Sequence, residues 1–215
     1  MSNKKNNNRI KIDIPVFDPG PSSRFASHVL EKTEIKGVLI GRFAVWAWVA
    51  DPGKQELTKD IDFAIKRKDI TKLMAYLNEN NYKVQDLPIG GINITDIEKN
   101  IKVDFIYRYS KEWGDLSPLF EEAVTKAIEM NNEVVISEKT FLLVPVDYLI
   151  TMKIGTLERK DEDDAKRLLE DIDFDIDALR ILVEKFLGPM GIAKLEKLLR
   201  ETGHPKARMR GKYTS

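Results

Sequence analysis

IGRFAVWAWVADPGKQELTKDIDFAIK, residues 40–66, joins an apolar strand and an apolar helix to a second strand that contains two carboxylates. Side chains alternate between the two faces of a strand, so Asp60 and Asp62 share one face while Ile61 and Phe63 share the other. Two carboxylates on an otherwise apolar strand are costly to desolvate unless a positive charge lies beside them. The stretch therefore predicts a cation site on one face of a sheet.

A third carboxylate interrupts the apolar segment IKVDFIY, residues 101–107. Asp104 is predicted to lie on the opposite strand face from Val103 and Phe105. Three carboxylates on neighbouring strands form a set of hard oxygen ligands, which Mg²⁺ or Mn²⁺ prefers, with waters and substrate phosphates completing the coordination. This pattern favours phosphoryl chemistry.

The glycine that ends the first strand supports the same interpretation. Gly41 follows the segment GVLI and precedes the apolar helix. A glycine at this position lets the backbone approach a phosphate closely, and the N-terminus of the helix offers free N–H groups and a partial positive charge. Gly41 is therefore a predicted phosphate-binding residue.

The order of the periodic segments predicts an α/β (α+β) fold, in which a sheet flanked by helices precedes a helical region. We divide the chain into a flexible N-terminal arm (residues 1–21), a core (22–144), a C-terminal helical region (145–203) and a basic tail (204–215). Within the helical region, Gly188 is predicted to separate two apolar-patterned helices.

The composition says little about the class of protein, but it does bear on the environment in which the protein works. The 215 residues include 35 basic and 35 acidic side chains, so no overall field favours nucleic acid, although a local patch can still bind it. The absence of cysteine excludes disulfides and thiolate metal sites. No segment approaches the length of apolar sequence that a membrane helix needs, and we expect a cytoplasmic protein without a membrane partner.

Together, these residues resemble the nucleotidyltransferase superfamily that is related to DNA polymerase beta. That family has a strand, a Gly-Gly or Gly-Ser pair, a helix, an Asp-x-Asp element and a third acidic residue. The matching segments here are IGRFAVWAWV, KDIDFAI and KVDFIY. The resemblance implies a nucleotidyltransferase-like mixed sheet and the use of a nucleoside triphosphate.

The resemblance also implies a role for each acidic residue. Asp60 and Asp62 would be the bridging metal ligands, and Asp104 would be the metal ligand that readies the acceptor hydroxyl. The implied cofactor is Mg²⁺ or Mn²⁺. The reaction would transfer a nucleoside monophosphate from the triphosphate to that hydroxyl.

Residues 149–169, LITMKIGTLERKDEDDAKRLL, resemble the AbiE-type branch of abortive-infection toxins, which has a lysine on a helix followed by Lys-Asp-x-x-Asp. By this resemblance Lys153 and Lys160 would hold triphosphate or acceptor phosphate, and Asp161 and Asp164 would orient them. The branch also implies an RNA 3′ end, such as that of tRNA, as acceptor, and a cognate antitoxin as partner in a toxin–antitoxin or defence setting.

One residue departs from the family pattern. Arg42 follows Gly41, where the family has Gly or Ser. Its guanidinium would either crowd the triphosphate or clasp it. This departure supports the main alternative, a catalytically inactive module of the same fold that binds a partner.

Two further alternatives concern single features. A glycosyltransferase also uses Asp-x-Asp to hold a metal and a nucleotide-sugar, but it predicts neither Asp104 nor the lysine helix. Lys153 lies on an apolar helix stripe, where a lysine whose stem covers the edge of a core is as common as a phosphate ligand.

Overall fold

The computed structural model forms two compact units. The described residues are 18–49, 58, 60–110, 114–156 and 158–207. The first unit contains those between residues 18 and 47 and between 58 and 144, and the second contains 48, 49 and those from 145 onward. Most of the predicted N-terminal arm, the loop after the apolar helix and the end of the basic tail lie outside the described residues.

A seven-stranded sheet forms the centre of the first unit. Its strands are β1 Val38–Ile40, β2 Ile61–Ala64, β3 Val84–Asp86, β4 Gly91–Asp96, β5 Ile101–Ile106, β8 Glu133–Ile136 and β9 Lys139–Leu143. A separate two-stranded ribbon consists of β6 Tyr109–Ser110 and β7 Gly114–Asp115. The main sheet has the order β3-β4-β5-β2-β1-β9-β8. Because β1 is parallel to β9 and β2 is parallel to β5 while the other pairs are antiparallel, the predicted mixed sheet is confirmed.

Among the described residues of the first unit, four α-helices accompany this sheet. They are α1 Gly20–Thr33, α2 Gly41–Trp48, α3 Ile70–Glu79 and α4 Ser117–Met130. Helix α2 is buried from Phe43 to Ala47, in agreement with its uniformly apolar sequence. In α3 the helical spacing of Leu73 and Leu77 puts both side chains in the core, where neither is exposed.

An aromatic core supports the strands that bear the predicted site. The ring of Phe63 in β2 stacks on Phe105 in β5, with 5.8 Å between centroids, and contacts Phe141 in β9 at 5.0 Å. Phe63 is completely buried, whereas its neighbour Asp62 is half-buried on the other face of the strand. A slip of one residue would exchange these two faces, so burial of Phe63 fixes where Asp62 points.

The part of the second unit that the structure describes forms three helices, α5 Val146–Ile154, α6 Arg159–Asp171 and α7 Ile176–Glu201. Gly188 lies at a kink inside α7, with φ 62° and ψ −161°, and Pro189 follows it. This confirms the predicted break, although the helical segment continues on both sides of it. Across the kink, the buried Arg180 donates through Nε to Oε1 of Glu196 at 2.8 Å. None of the helices in the described part of the chain combines the length and hydropathy that a membrane span needs.

Candidate active site

Three carboxylates meet on one face of the first unit's sheet, and we call Asp60, Asp62 and Asp104 the acidic cluster. Strands β2 and β5 run in parallel with Asp62 directly opposite Asp104, and Asp60 immediately precedes β2. One oxygen from each carboxylate lies within 4.8 Å of the others. The structure therefore brings together the three acidic residues that the sequence selected.

Nearby donors hold two members of the acidic cluster. The hydroxyl of Thr58 donates to Oδ1 of Asp60 at 2.8 Å, and Nζ of Lys102 lies 3.2 Å from Oδ2 of the same residue. Asn93 donates through Nδ2 to Oδ1 of Asp104. The cluster is thus built with defined carboxylate orientations.

The electrostatic state of Asp104 reflects both burial and its neighbours. Burial raises its pKa above the ordinary value, and the charge of Asp60 raises the pKa further. The hydrogen bond from Asn93 and the charge of Lys102 lower it, but they do not cancel the rise. A carboxylate with a raised pKa is a better proton acceptor than an exposed aspartate, and it gains from a nearby cation.

Gly41 separates β1 from α2 and lies against the acidic cluster. Its φ is +65°, a left-handed conformation that favours glycine, and a Cβ built on it would collide with the carboxylate of Asp62. In the sheet, Ile40 pairs with Asp62, which explains the close approach. A glycine is therefore required here to make room for Asp62, and α2 begins beside that carboxylate.

Arg42 is the second residue of α2 and is half-buried. Arg42 directly follows Gly41 in the chain, so its side chain extends from the same N-terminal end of the helix. The residue that departs from the family pattern is thus part of the segment that borders the acidic cluster.

The acidic cluster fits a hard divalent cation. Its donors are carboxylate oxygens, which Mg²⁺ and Mn²⁺ prefer over softer ligands. One oxygen of each carboxylate lies within 4.8 Å of the others, so all three can face one ion. Asp60, Asp62 and Asp104 could therefore hold such an ion.

The second unit contains a different group of charged side chains, Lys153, Asp161 and Asp164, which we call the lysine cluster. The ammonium of Lys153 in α5 forms ion pairs with Asp161 and with Asp164 in α6, the latter at 2.9 Å. All three are buried, with exposed fractions of 8%, 7% and 1%. The cluster joins α5 to α6 inside the second unit.

The protonation of Lys153 follows from this arrangement. Burial by itself would lower its pKa, but the charges and hydrogen bonds of Asp161 and Asp164 outweigh burial and raise the pKa above the ordinary value. Lys153 therefore carries its proton at neutral pH. Its ammonium is committed to two carboxylates of the same unit.

Lys160 does not take part in the lysine cluster. Its Nζ lies 2.9 Å from Oε2 of Glu158, and the two side chains are 64% and 62% exposed. The resemblance to AbiE-type toxins gave roles to four residues of this segment. The structure brings together Lys153, Asp161 and Asp164, while Lys160 lies on the surface of α6.

The selection from the sequence missed the residues that hold the acidic cluster, namely Thr58, Asn93 and Lys102. A signal for Asn93 was present in the segment GINITD, because polar residues there alternate with Ile92 and Ile94. The same alternation of polar and apolar positions that identified Asp104 thus indicates a polar face on β4.

No protein-family model matches the chain, and no curated protein matches its sequence. Among solved structures, the chain is similar to the solution structure of the antibiotic-resistance factor ANT(2'')-Ia. The TM-score is 0.51 at 12% identity, and the match covers 87% of this chain and 99% of the other.

Two other solved structures are similar at lower scores. One is the lincosamide antibiotic adenylyltransferase LnuA with bound lincomycin, with a TM-score of 0.44, 14% identity, and 69% and 95% of the two chains covered. The second is an antigenic nucleotidyltransferase-like protein from Paracoccidioides brasiliensis, with a TM-score of 0.44, 12% identity, and 84% and 86% covered. The chain thus has a mixed α/β fold that is similar to the fold of the antibiotic-resistance factor ANT(2'')-Ia.

Proposed function

We propose that this chain is a metal-dependent nucleotidyltransferase that transfers a nucleoside monophosphate from a triphosphate to an acceptor hydroxyl. The observation that carries the proposal is the convergence of Asp60, Asp62 and Asp104 within 4.8 Å on one sheet face. The nucleotidyltransferase-like fold supports it. The resemblance to AbiE-type toxins favours the 3′ end of an RNA, such as tRNA, as the acceptor, in a toxin–antitoxin or defence setting with a cognate antitoxin.

The acidic cluster would hold Mg²⁺ or Mn²⁺, with Asp60 and Asp62 as bridging ligands and Asp104 as a third ligand. When bound, the ions would neutralise the charge of the triphosphate and stabilise the departing pyrophosphate. Gly41 contributes the space that the Asp62 carboxylate occupies, because any side chain there would displace it.

In the proposed reaction, the acceptor oxygen forms a bond to the α-phosphorus of the triphosphate. The bond from that phosphorus to the oxygen of the leaving pyrophosphate breaks, and the proton of the hydroxyl passes to the carboxylate of Asp104. Most of the rate increase would come from positioning and charge stabilisation.

Positive groups near Gly41 would bind the triphosphate. The backbone N–H groups at the start of α2 can donate to phosphate oxygens, and the guanidinium of Arg42 can form a bidentate contact with them. In this role, Arg42 would bind phosphate with its side chain at the position where the family has a small residue.

The residues of the second unit have a proposed role in phosphate binding through Lys153 and Lys160, with Asp164 and Asp161 as orienting groups. Lys160 is exposed, and its ammonium would bind an acceptor phosphate in place of its surface ion pair with Glu158. Lys153 would have to exchange one of its two carboxylate partners for a phosphate oxygen.

Transfer of radiolabel tests the proposal. Each of the four ribonucleoside triphosphates, labelled at the α-phosphate, is incubated with the protein, total RNA and Mg²⁺ or Mn²⁺. We expect label in RNA with at least one triphosphate, dependent on metal and lost in Asp60→Asn and Asp62→Asn. Asp86→Asn, which removes an exposed carboxylate from β3, is the matched control and should label RNA normally.

The outcomes separate the remaining candidates. Label that survives Asp62→Asn would contradict the assignment of the acidic cluster. Label in a small-molecule fraction instead of RNA would indicate a different acceptor, an outcome that the similarity to an antibiotic-resistance factor makes worth measuring. Failure to label any acceptor and to bind any triphosphate by calorimetry would favour the inactive binding module, for which the Arg42 departure is the supporting observation.

A further inference from the structure

A line of hydrogen bonds on β4 ends at the acidic cluster. Asn93 is 8% exposed and directly opposite Asp104 in the antiparallel pair of β4 and β5, so both side chains lie on the same face of the sheet. The hydroxyl of Thr95 donates to Oδ1 of Asn93 at 2.8 Å, and Nδ2 of Asn93 donates to Oδ1 of Asp104.

The chemistry of the three groups fixes the direction of this line. An ionised carboxylate only accepts hydrogen bonds, so Asn93 must present its NH₂ group to Asp104. Its carbonyl oxygen then points to Thr95, whose hydroxyl must donate. Thr95 thereby holds the amide of Asn93 in the orientation that Asp104 requires.

The two carboxylate oxygens of Asp104 have different surroundings in this arrangement. The amide of Asn93 occupies Oδ1, which leaves the lone pairs of Oδ2 for a cation or an acceptor hydroxyl. Hydrogen-bonded partners of a ligating carboxylate set its orientation, and their loss typically weakens metal binding 10- to 100-fold.

We propose that Asn93, oriented by Thr95, is a positioning residue that holds the Asp104 carboxylate in place for a divalent cation. This inference rests on the proposed function, since it concerns the same cation site. It adds that the affinity of the site depends on two uncharged side chains of β4 that do not themselves bind the ion.

Calorimetric titration of the metal-free protein with Mn²⁺ tests the inference without any need for turnover. Asn93→Ala should weaken Mn²⁺ binding by about 10- to 100-fold. Thr95→Val keeps the shape of the side chain but removes the donor, and should weaken binding by a smaller factor. Thr95→Ser restores the hydroxyl and should bind as the wild type does.

A double-variant cycle separates a shared line of hydrogen bonds from two independent effects. If Thr95 acts through Asn93, Asn93→Ala combined with Thr95→Val should bind Mn²⁺ no more weakly than Asn93→Ala alone. Asn80→Ala, which removes an exposed amide that bonds to the backbone of Tyr76, is the control and should leave Mn²⁺ binding unchanged.

The Mn²⁺ requirement for nucleotidyl transfer provides a second readout. Excess Mn²⁺ should restore turnover of Asn93→Ala, because the ligand itself is still present, whereas it should not restore Asp104→Asn. Wild-type affinity for Mn²⁺ in Asn93→Ala, even with lowered thermal stability, would overturn the inference and leave the proposed function standing. Failure of the wild type itself to bind Mn²⁺ would overturn both.

Discussion

The acidic cluster of the first unit and the lysine cluster of the second unit both bring aspartates together, but they balance the charge differently. In the acidic cluster, three half-buried carboxylates have beside them the ammonium of Lys102, whose side chain is 44% exposed. In the lysine cluster, two buried carboxylates share the buried ammonium of Lys153, and Nη1 of Arg167 lies 3.9 Å from Oδ1 of Asp164.

The difference distinguishes two uses of the same side chain. A buried group of charges that contains its own counter-ion is complete, and removal of one member leaves an uncompensated charge in the interior. A group of like charges at a partly open position gains stability from any cation that enters. The comparison therefore supports a structural role for the lysine cluster, and it supports the proposal that the acidic cluster is a cation site.

The largest effect should come from a member of the acidic cluster. Asp62→Asn should reduce nucleotidyl transfer by at least about a thousandfold, because loss of a direct ligand costs more than the 10- to 100-fold loss typical of its supporting partners. Stability to urea without metal should stay the same or rise, since one of three like charges is removed. If Asp62→Asn lowered stability to urea and left nucleotidyl transfer normal, the acidic cluster would have a structural role instead of a role in ion binding.

A member of the lysine cluster should show the opposite behaviour. Lys153→Met should lower the free energy of unfolding by about 3–5 kcal/mol, because buried Asp161 loses its counter-ion and buried Asp164 keeps only Arg167, at 3.9 Å. Urea denaturation measures the change. Lys160→Met, which breaks the exposed pair with Glu158, is the matched control and should cost less than about 1 kcal/mol.

A triple variant sharpens this second prediction. Replacing Lys153, Asp161 and Asp164 together by apolar residues of similar volume should recover much of the lost stability. If stability recovers while nucleotidyl transfer does not, the lysine cluster has a role in phosphate binding in addition to its role in the fold. A single Lys153→Met variant that is as stable as wild type would contradict the structural role.

Addition of metal should stabilise the first unit selectively. Mn²⁺ at about 100 times its dissociation constant should add about 2.7 kcal/mol to the free energy of unfolding, because the ion binds the folded state. Hydrogen exchange resolved by segment should show added protection in β2 and β5 and none in α5 and α6. The Asp62→Asn variant should show no such protection, and equal protection of α5 would contradict selectivity.

The smallest effect concerns pH. Since the pKa of Asp104 is raised in the folded protein, chiefly by burial, the folded state binds a proton more tightly than the unfolded state does. Without metal, the contribution of Asp104 to stability should therefore fall as pH rises from about 4, the ordinary aspartate value, through its raised pKa. The lysine cluster acts at the alkaline end, where stability should fall as pH rises through the raised pKa of Lys153.

The difference between the unfolding curves of wild type and Asp104→Asn isolates the first of these contributions. This subtraction also removes the contribution of Asp147, whose pKa burial raises as well. An identical pH dependence in the two proteins would show that Asp104 is not the group responsible.

Local alternation of polar and apolar side chains predicted the three acidic residues, whereas the mixed sheet was predicted from the family resemblance. The sequence also contained enough to find Asn93. The short loop at residues 97–100 joins β4 to β5, and so tight a hairpin fixes the pairing that puts Asn93 opposite Asp104.

Other features depend on contacts between distant segments, which no local pattern specifies. The parallel pairing of β2 with β5 and the separation of Lys160 from the lysine cluster are examples. The lysine at position 153 was recognised, but its burial against two aspartates was visible only in the structure. Local sequence thus identifies candidate groups, whereas tertiary contacts decide which of them meet.

The parallel pairing of β1 with β9 has a consequence for synthesis of the chain. Val38 pairs with Leu142. One edge of β1 therefore stays unpaired during synthesis until most of the first unit has left the ribosome. Closing so long a segment is entropically costly and slow, and an open strand edge invites pairing with other chains. We expect nascent chains that end before β9 to bind chaperones and to resist protease poorly, which limited proteolysis of stalled ribosome complexes would reveal.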